Sequence, residues 1–271
     1  MYTLIAGLFM SSGIFGFGFT HGHAPIIRSR PSPTPAPVLT PAFQIQFSGT
    51  PSFDDRASIY DLDLYDTAQA DVQKAHARGK KVLCYINAGA VEDWRPDASQ
   101  FPPSVVGNAY AGWAGEHWLD IRAIDRLAPI MSARIQLCAD KGFDGIDFDN
   151  MNSFENNTGF PLQASDQITY NTWLASLAHA KHVLVGLKND PSQANTLVGV
   201  FDFAIVESCA AEGWCTDFSP FTAAHKPVYA IEYTDVTSAA AFKTYCKRYT
   251  AQGYNLVLKH QSLDAWAQWC Q

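Results

Sequence analysis

Short apolar runs recur along the chain, each bounded by polar or glycine-containing stretches and each too short for a helix. Eight can be marked: residues 43–47, 59–64, 82–86, 145–149, 183–187, 203–206, 228–231 and 256–258. Several are nearly continuous in hydrophobicity, the pattern of strands buried on both faces of a parallel sheet. Between them lie segments with helical spacing, such as 67–78, 127–141 and 166–179. In the second of these, Ile130, Ile135 and Cys138 fall near one face. Gly79, Gly142 and Gly253 each follow a helical stretch, where a left-handed cap is wanted. Strand and helix alternation predicts an α/β fold with a parallel sheet, and eight repeats predict a closed (β/α)8 TIM-like barrel over residues 42–271 as a single domain. The first two connections are irregular. A doubly wound open sheet is the structural alternative, but no GxGxxG follows a strand.

The polar residues at the ends of these runs point beyond the fold to a site. The run 145–149 ends in Asp147, Asp149 and Asn150, and the run 203–206 ends in Glu207. Lys188 and Asn189 end the fifth run, Glu232 the seventh and Lys259 the eighth. Acids crowded at the end of a buried strand cost folding energy through desolvation and mutual repulsion. Acids at the same end of several strands point to an active site at the carboxyl-terminal face of a barrel. Two carboxyls facing one bond are the equipment of glycoside hydrolysis. Asp63 shares a strand face with Asp61 and is a candidate contact at the barrel mouth, with a satisfied turn as the structural alternative. Tyr85 and Asn87, at the end of the third run, are further candidate contacts. Glu232 has an ion pair with Lys188 or Lys259 as its structural alternative. Trp94, Trp113, Trp118 and Trp214 are candidate stacking platforms, Trp94 foremost because Glu92, Asp93 and Arg95 surround it.

The chain has 271 residues, 47% hydrophobic and 13% aromatic, with a formal net charge of −7. An acidic surface argues against a nucleic-acid partner and suits a neutral or cationic ligand. The histidines show no HExxH or comparable spacing, so no metal is expected, and nothing in the sequence calls for a cofactor. A single barrel of this kind is expected to be a monomer. Residues 2–19 carry no charged side chain and are followed by small residues at Gly22 and Ala24. Residues 1–24 therefore read as a signal peptide for secretion, with a membrane anchor at 2–19 as the alternative. Residues 25–41 form a Pro-rich linker. Six cysteines fit an exported chain. Cys209 with Cys215, and Cys246 with Cys270, are the expected disulfides, while Cys84 and Cys138 either pair or stay as buried thiols.

Several sequence blocks carry a more specific signal. They are QIQFSG at 44–49, YDLDLYD at 60–66, KVLCYINAGAVEDWRPDASQFP at 81–102, GEHWLDIR at 115–122, GFDGIDFDNMNSF at 142–154, VGLKND at 185–190, FDFAIVESC at 201–209 and KPVYAIEYTD at 226–235. In this order they resemble the endo-α-1,4-polygalactosaminidases of glycoside hydrolase family 114. The resemblance implies a barrel that cleaves α-1,4 bonds in galactosamine-rich polysaccharide. It implies a catalytic Asp at the end of the fourth strand, matching Asp149, and a catalytic Glu at the end of the sixth, matching Glu207. Asp149 is then the nucleophile and Glu207 the general acid/base of a retaining reaction. One departure is Val206, where the resemblance implies a polar residue. Two rival functions remain: a non-catalytic carbohydrate-binding barrel, and a Schiff-base lyase or aldolase using Lys188.

Overall fold

A computed structural model of the protein describes residues 42–270. The expected signal or anchor (1–24) and the Pro-rich linker (25–41) lie outside the described residues. Among the described residues no helix is long and apolar enough to cross a membrane.

Eight parallel strands form the barrel: β1 Phe43–Ile45, β2 Ile59–Asp63, β3 Lys81–Asn87, β4 Gly145–Asp149, β5 Leu184–Lys188, β6 Phe203–Glu207, β7 Val228–Tyr233 and β8 Tyr254–Lys259. They correspond to the eight apolar runs, and their register is continuous from β1 to β8. The longer helices α1 Gln69–Ala77, α2 Ile124–Lys141, α3 Ala164–His179 and α4 Ala239–Tyr249 join strands on the outside. No helix lies between β1 and β2, as the irregular first connection suggested. Gly142 closes α2 at φ 88°, a left-handed cap that a side chain would strain.

The barrel is closed by an unusual seam. The last strand, β9 Ala267–Trp269, runs antiparallel to β8. It does not pair with β1, yet Trp269 Nε1 donates to the carbonyl of Phe43 at 2.6 Å. Lys259 Nζ donates to Gln44 Oε1 at 2.9 Å, and the backbone nitrogens of Phe47 and Ser48 both donate to the carbonyl of Leu263. Side chains and one loop thus replace the missing backbone ladder.

Strand side chains divide between two cores. Ile146, Phe148, Val206 and their neighbours face an outer cluster shared with the helices. Leu83, Phe203, Ile205, Tyr229, Ile231 and Val257 form an inner cluster. The Phe203 ring fills space that two glycines leave open. A Cβ on Gly186 would lie 2.3 Å from it, and one on Gly145 3.3 Å. Three disulfides reinforce this frame: Cys84–Cys138, Cys209–Cys215 and Cys246–Cys270. The first pins β3 to α2 across a separation of 54 residues, so Cys84 and Cys138 are not free thiols.

Between β3 and α2 the chain makes an excursion that the apolar runs did not reveal. Strands Ala90–Glu92, Val106–Ala109 and Glu116–Leu119 form a small antiparallel sheet above the barrel rim. Buried Arg134 on α2 holds its base, donating to both oxygens of Asp97 at 2.7 and 2.8 Å and to the carbonyl of Asn87 at 2.8 Å. Such charge-assisted, two-pronged bonds are among the stronger polar contacts.

Two stability predictions follow from these contacts. Gly186→Ala is expected to cost about 1–3 kcal/mol through overpacking against Phe203, read as a lowered denaturation midpoint. Asp190, fully buried after β5, has one oxygen without a partner, and burial followed by the nearby Glu155 pushes its carboxyl up to about 8. A carboxyl raised in the folded state favours folding at low pH, and this contribution fades as pH rises from about 4 towards about 8. Asp190→Asn keeps the shape and suits the positive φ of 61°. It should remove that decline and raise stability at pH 8 by about 1–3 kcal/mol, measured by urea unfolding across pH.

Candidate active site

The cleft lies at the carboxyl ends of the strands, where β4 and β6 bring Asp149 and Glu207 together. It has a volume of about 560 Å³. Lys188, buried on the intervening β5, stands between the two acids. Its Nζ is 3.2 Å from Asp149 Oδ1, 3.4 Å from Glu207 Oε2 and 3.5 Å from Asp147 Oδ2. Those two outer oxygens are therefore separated by no more than the first two distances together. Burial opposes the charge on Lys188, but Asp147, Asp149 and Glu207 outweigh it and hold the amine well above its ordinary range as an ammonium.

Each outer acid has a tyrosine partner. Tyr85 Oη donates to Asp149 Oδ2 at 2.9 Å, so both oxygens of Asp149 are occupied. Tyr233 Oη donates to Glu207 Oε1. Glu207 Oε2 has only longer contacts, from Lys188 and from Asn189 Nδ2 at 3.4 Å. Asn189 in turn accepts the backbone N–H of Glu207 at 3.0 Å, fixing the strand end. Burial, then the facing carboxylates, raise both tyrosines well above the ordinary phenol range, so both are neutral donors.

The remaining sequence candidates divide into those on the cleft and those behind it. Trp94, 54% exposed, lines the cleft, as does Asn150, whose amide donates to Asn87 Oδ1 at 3.0 Å. Asn87 itself is buried and bonds Glu116 Oε2 at 3.0 Å and the Ala90 backbone. Asp147 is wholly buried beneath Lys188. Asp63 reaches the cleft with its oxygens already engaged, by Arg95 Nη2 at 2.6 Å and by the backbone of Tyr65 and Asp66. Glu232 is absent from the lining. Its oxygens accept the backbone N–H of Ala210 at 2.8 Å and Ala211 at 3.2 Å, and it pairs with neither Lys188 nor Lys259. The reason is a strand boundary: β7 runs on to Tyr233, so alternation turns Ile231 and Tyr233 inward and Glu232 outward. Val206 likewise belongs to the outer cluster, so the departure from the family pattern there does not touch the cleft.

Sequence reasoning passed over Tyr233, Tyr110 and Glu116 as cleft residues. The apolar–polar alternation Tyr229, Ile231, Tyr233 was the available signal for the first. The other two sit on the small antiparallel sheet, for which no strand signal was read. Burial, then Glu92 and Asp149, push the Glu116 carboxyl up to about 7. Among the described residues no cluster of three or more His, Cys, Asp or Glu side chains could hold a metal ion.

Known proteins resemble the chain to different degrees. The profile of glycoside-hydrolase family GH114 matches residues 28–271. The crystal structure of Aspergillus fumigatus Ega3 in complex with galactosamine superimposes with a TM-score of 0.80 at 30% identity, over 85% of this chain and 95% of that one. The glycoside hydrolase domain of PelA from Pseudomonas aeruginosa superimposes with a TM-score of 0.65 at 16% identity, over 84% and 97%. A GH18 chitinase from Pseudoalteromonas aurantia, at TM-score 0.52 and 12% identity over 82% and 95%, shares the fold alone. No curated protein sequence matches the chain. The profile match spans most of the sequence, and the barrel agrees with it: the chain is a glycosidase that belongs to glycoside-hydrolase family GH114.

Proposed function

We propose that this glycosidase is secreted and cleaves α-1,4-galactosaminidic bonds within galactosamine-containing polysaccharide, by double displacement with retained configuration. The observation that carries the mechanism is the Lys188 bridge. Retaining enzymes hold their two carboxyls about 5–5.5 Å apart, and inverting ones about 6.5–9.5 Å apart. Contacts of 3.2 and 3.4 Å to one nitrogen draw the facing oxygens of the two carboxyls together, which favours the shorter, retaining spacing.

Asp149 suits the nucleophile. Tyr85 and Lys188 stabilise its anion and aim it. Its oxygen attacks the anomeric carbon as the glycosidic bond breaks, and Glu207 gives its proton to the departing oxygen. The looser contacts on Glu207 Oε2 make that oxygen the proton carrier. Glu207, now a carboxylate, takes a proton from water while the water oxygen attacks the anomeric carbon and frees Asp149. An imine-forming lysine needs a free amine, so the ammonium state of Lys188 weighs against the Schiff-base alternative. A binding-only barrel is set aside by the family itself.

The substrate class rests on the galactosamine bound to Ega3 and on charge. Six acids against two cations line the cleft, Asp63, Asp66, Glu92, Glu116, Asp149 and Glu207 facing Arg95 and Lys188. That balance favours a protonated amino sugar. Exposed Trp94 and Trp113, in the turns that connect the small sheet, offer stacking faces to neighbouring sugars. The disulfides suit an oxidising compartment, in line with export by residues 1–24. No feature of the barrel demands a second copy, and we take it as a monomer.

Reducing-end release from purified galactosamine polymer, beside chitosan and starch, tests the reading. Asp149→Asn and Glu207→Gln should each lower kcat by about 10³-fold or more in protein that remains folded. Wild-type-like turnover by either variant would overturn the assignment. On deacetylated polymer, raising salt from about 0.05 to 0.5 M should lower kcat/KM several-fold, because the Debye length shrinks over that range. A salt-independent kcat/KM would contradict selection by charge.

A further inference from the structure

Beneath the cleft lie two acids to which the mechanism above gives no task. Asp61 on β2 and Asp147 on β4 project from alternate strands, the way barrel interiors are layered. Both are 0% exposed. They lie within hydrogen-bonding reach of each other. Neither oxygen of Asp61, nor Oδ1 of Asp147, meets a donor among the described residues. Two carboxylate anions in contact in a dry interior repel and pay a large desolvation cost, so one of them must hold a proton.

The surrounding charges decide which. The charged groups that face the pair are Asp149 on β4, Lys188 on β5 and, towards Asp147, Glu207 on β6. Lys188 Nζ stands 3.5 Å from Asp147 Oδ2 and makes no such contact with Asp61. The anion is stabilised where the ammonium is, on Asp147. The proton then belongs to Asp61, the member without a cation. Burial, then the charge of Asp147, push the Asp61 carboxyl well above its usual range, in the same direction.

We propose that Asp61 is a positioning residue held as the neutral acid: its proton bridges to Asp147, Asp147 remains the anion that seats Lys188 from below, and the seated ammonium spans Asp149 and Glu207. The chain of contacts runs from a residue outside the cleft to both carboxyls of the catalytic pair. It rests on the assignment of that pair and adds a reason why Lys188 stands where it does. A second anion at Asp61 would draw the ammonium downward and away from the cleft.

Asp61→Asn and Asp61→Leu separate this role from mere packing. Asparagine is neutral, close in shape and still donates to Asp147. It should keep kcat/KM within about threefold of wild type, less than one unit's worth of interaction energy, with an unchanged pH profile. Leucine removes the donor, so Asp147 takes up a proton and releases Lys188. Kcat should fall roughly 10–100-fold, the cost of a slightly misplaced catalytic group, with KM little changed and the alkaline limb of the profile moved to lower pH. An infrared difference spectrum of wild type minus Asp61→Asn at pH 7 should show a protonated carboxyl C=O band that the variant lacks. That band needs neither turnover nor the leucine variant to fold, so it stands or falls apart from the reading of Asp149 and Glu207. Absence of the band would overturn the proposal. So would an asparagine variant that is fully folded yet shifts the pH profile by a unit or more, because Asp61 would then be acting as an anion.

Discussion

The Lys188 ammonium is the charge on which the rest of the site depends. Taking an ion of this kind out of water costs several kcal/mol, repaid only by close counter-charges. Three carboxyl groups on β4 and β6 stand around it at 3.2 to 3.5 Å, and the anions among them supply the counter-charge. Each partner is in turn constrained: Asp149 by Tyr85, Glu207 by Tyr233 and Asn189, Asp147 by its contact with Asp61. Buried pairs with one member missing are strongly destabilised, so the constellation binds six strands, β2 to β7, into one electrostatic unit. The neutral tyrosines are part of that balance, because they satisfy carboxylate oxygens without adding charge.

A second level of organisation sits above the barrel. The small antiparallel sheet between β3 and α2 carries Glu92, Glu116, Trp94, Tyr110 and Trp113 to one wall of the cleft. Arg134 fastens its base to the barrel through Asp97 and Asn87. The cleft thus has two sources: strand ends hold Asp149 and Glu207, and a loop excursion holds the aromatic and acidic wall. This matches the division expected of a barrel whose rigid strands fix geometry while its loops vary.

How much of this was legible in the chain depends on where each signal is stored. The eight strands were readable because a strand covered on both faces must be apolar along its length. Asp149 and Glu207 were readable because each breaks such a run at the end where a barrel opens. Glu232 also breaks a run, yet it caps the helix Cys209–Glu212. Tyr229 and Ile231 face inward, so alternation puts Glu232 on the opposite face and Tyr233 inward again. Tyr233 took the place in the cleft that Glu232 was expected to have. Val106–Ala109, of which Gly107 and Asn108 are half of the residues, gave no strand pattern at all. The Cys84–Cys138 bridge could not be chosen from spacing, since connectivity is a matter of which elements pack together.

Local runs and blocks of adjacent residues thus carry the parallel barrel, the carboxyls at its open end and the family they belong to. Only the tertiary structure decided that Lys188 stands between Asp149 and Glu207, that Tyr85 and Tyr233 serve them, and that Asp61 meets Asp147. Those partners come from different strands, and their distances are set by how the sheet curls and staggers into a barrel, a quantity that no single strand encodes.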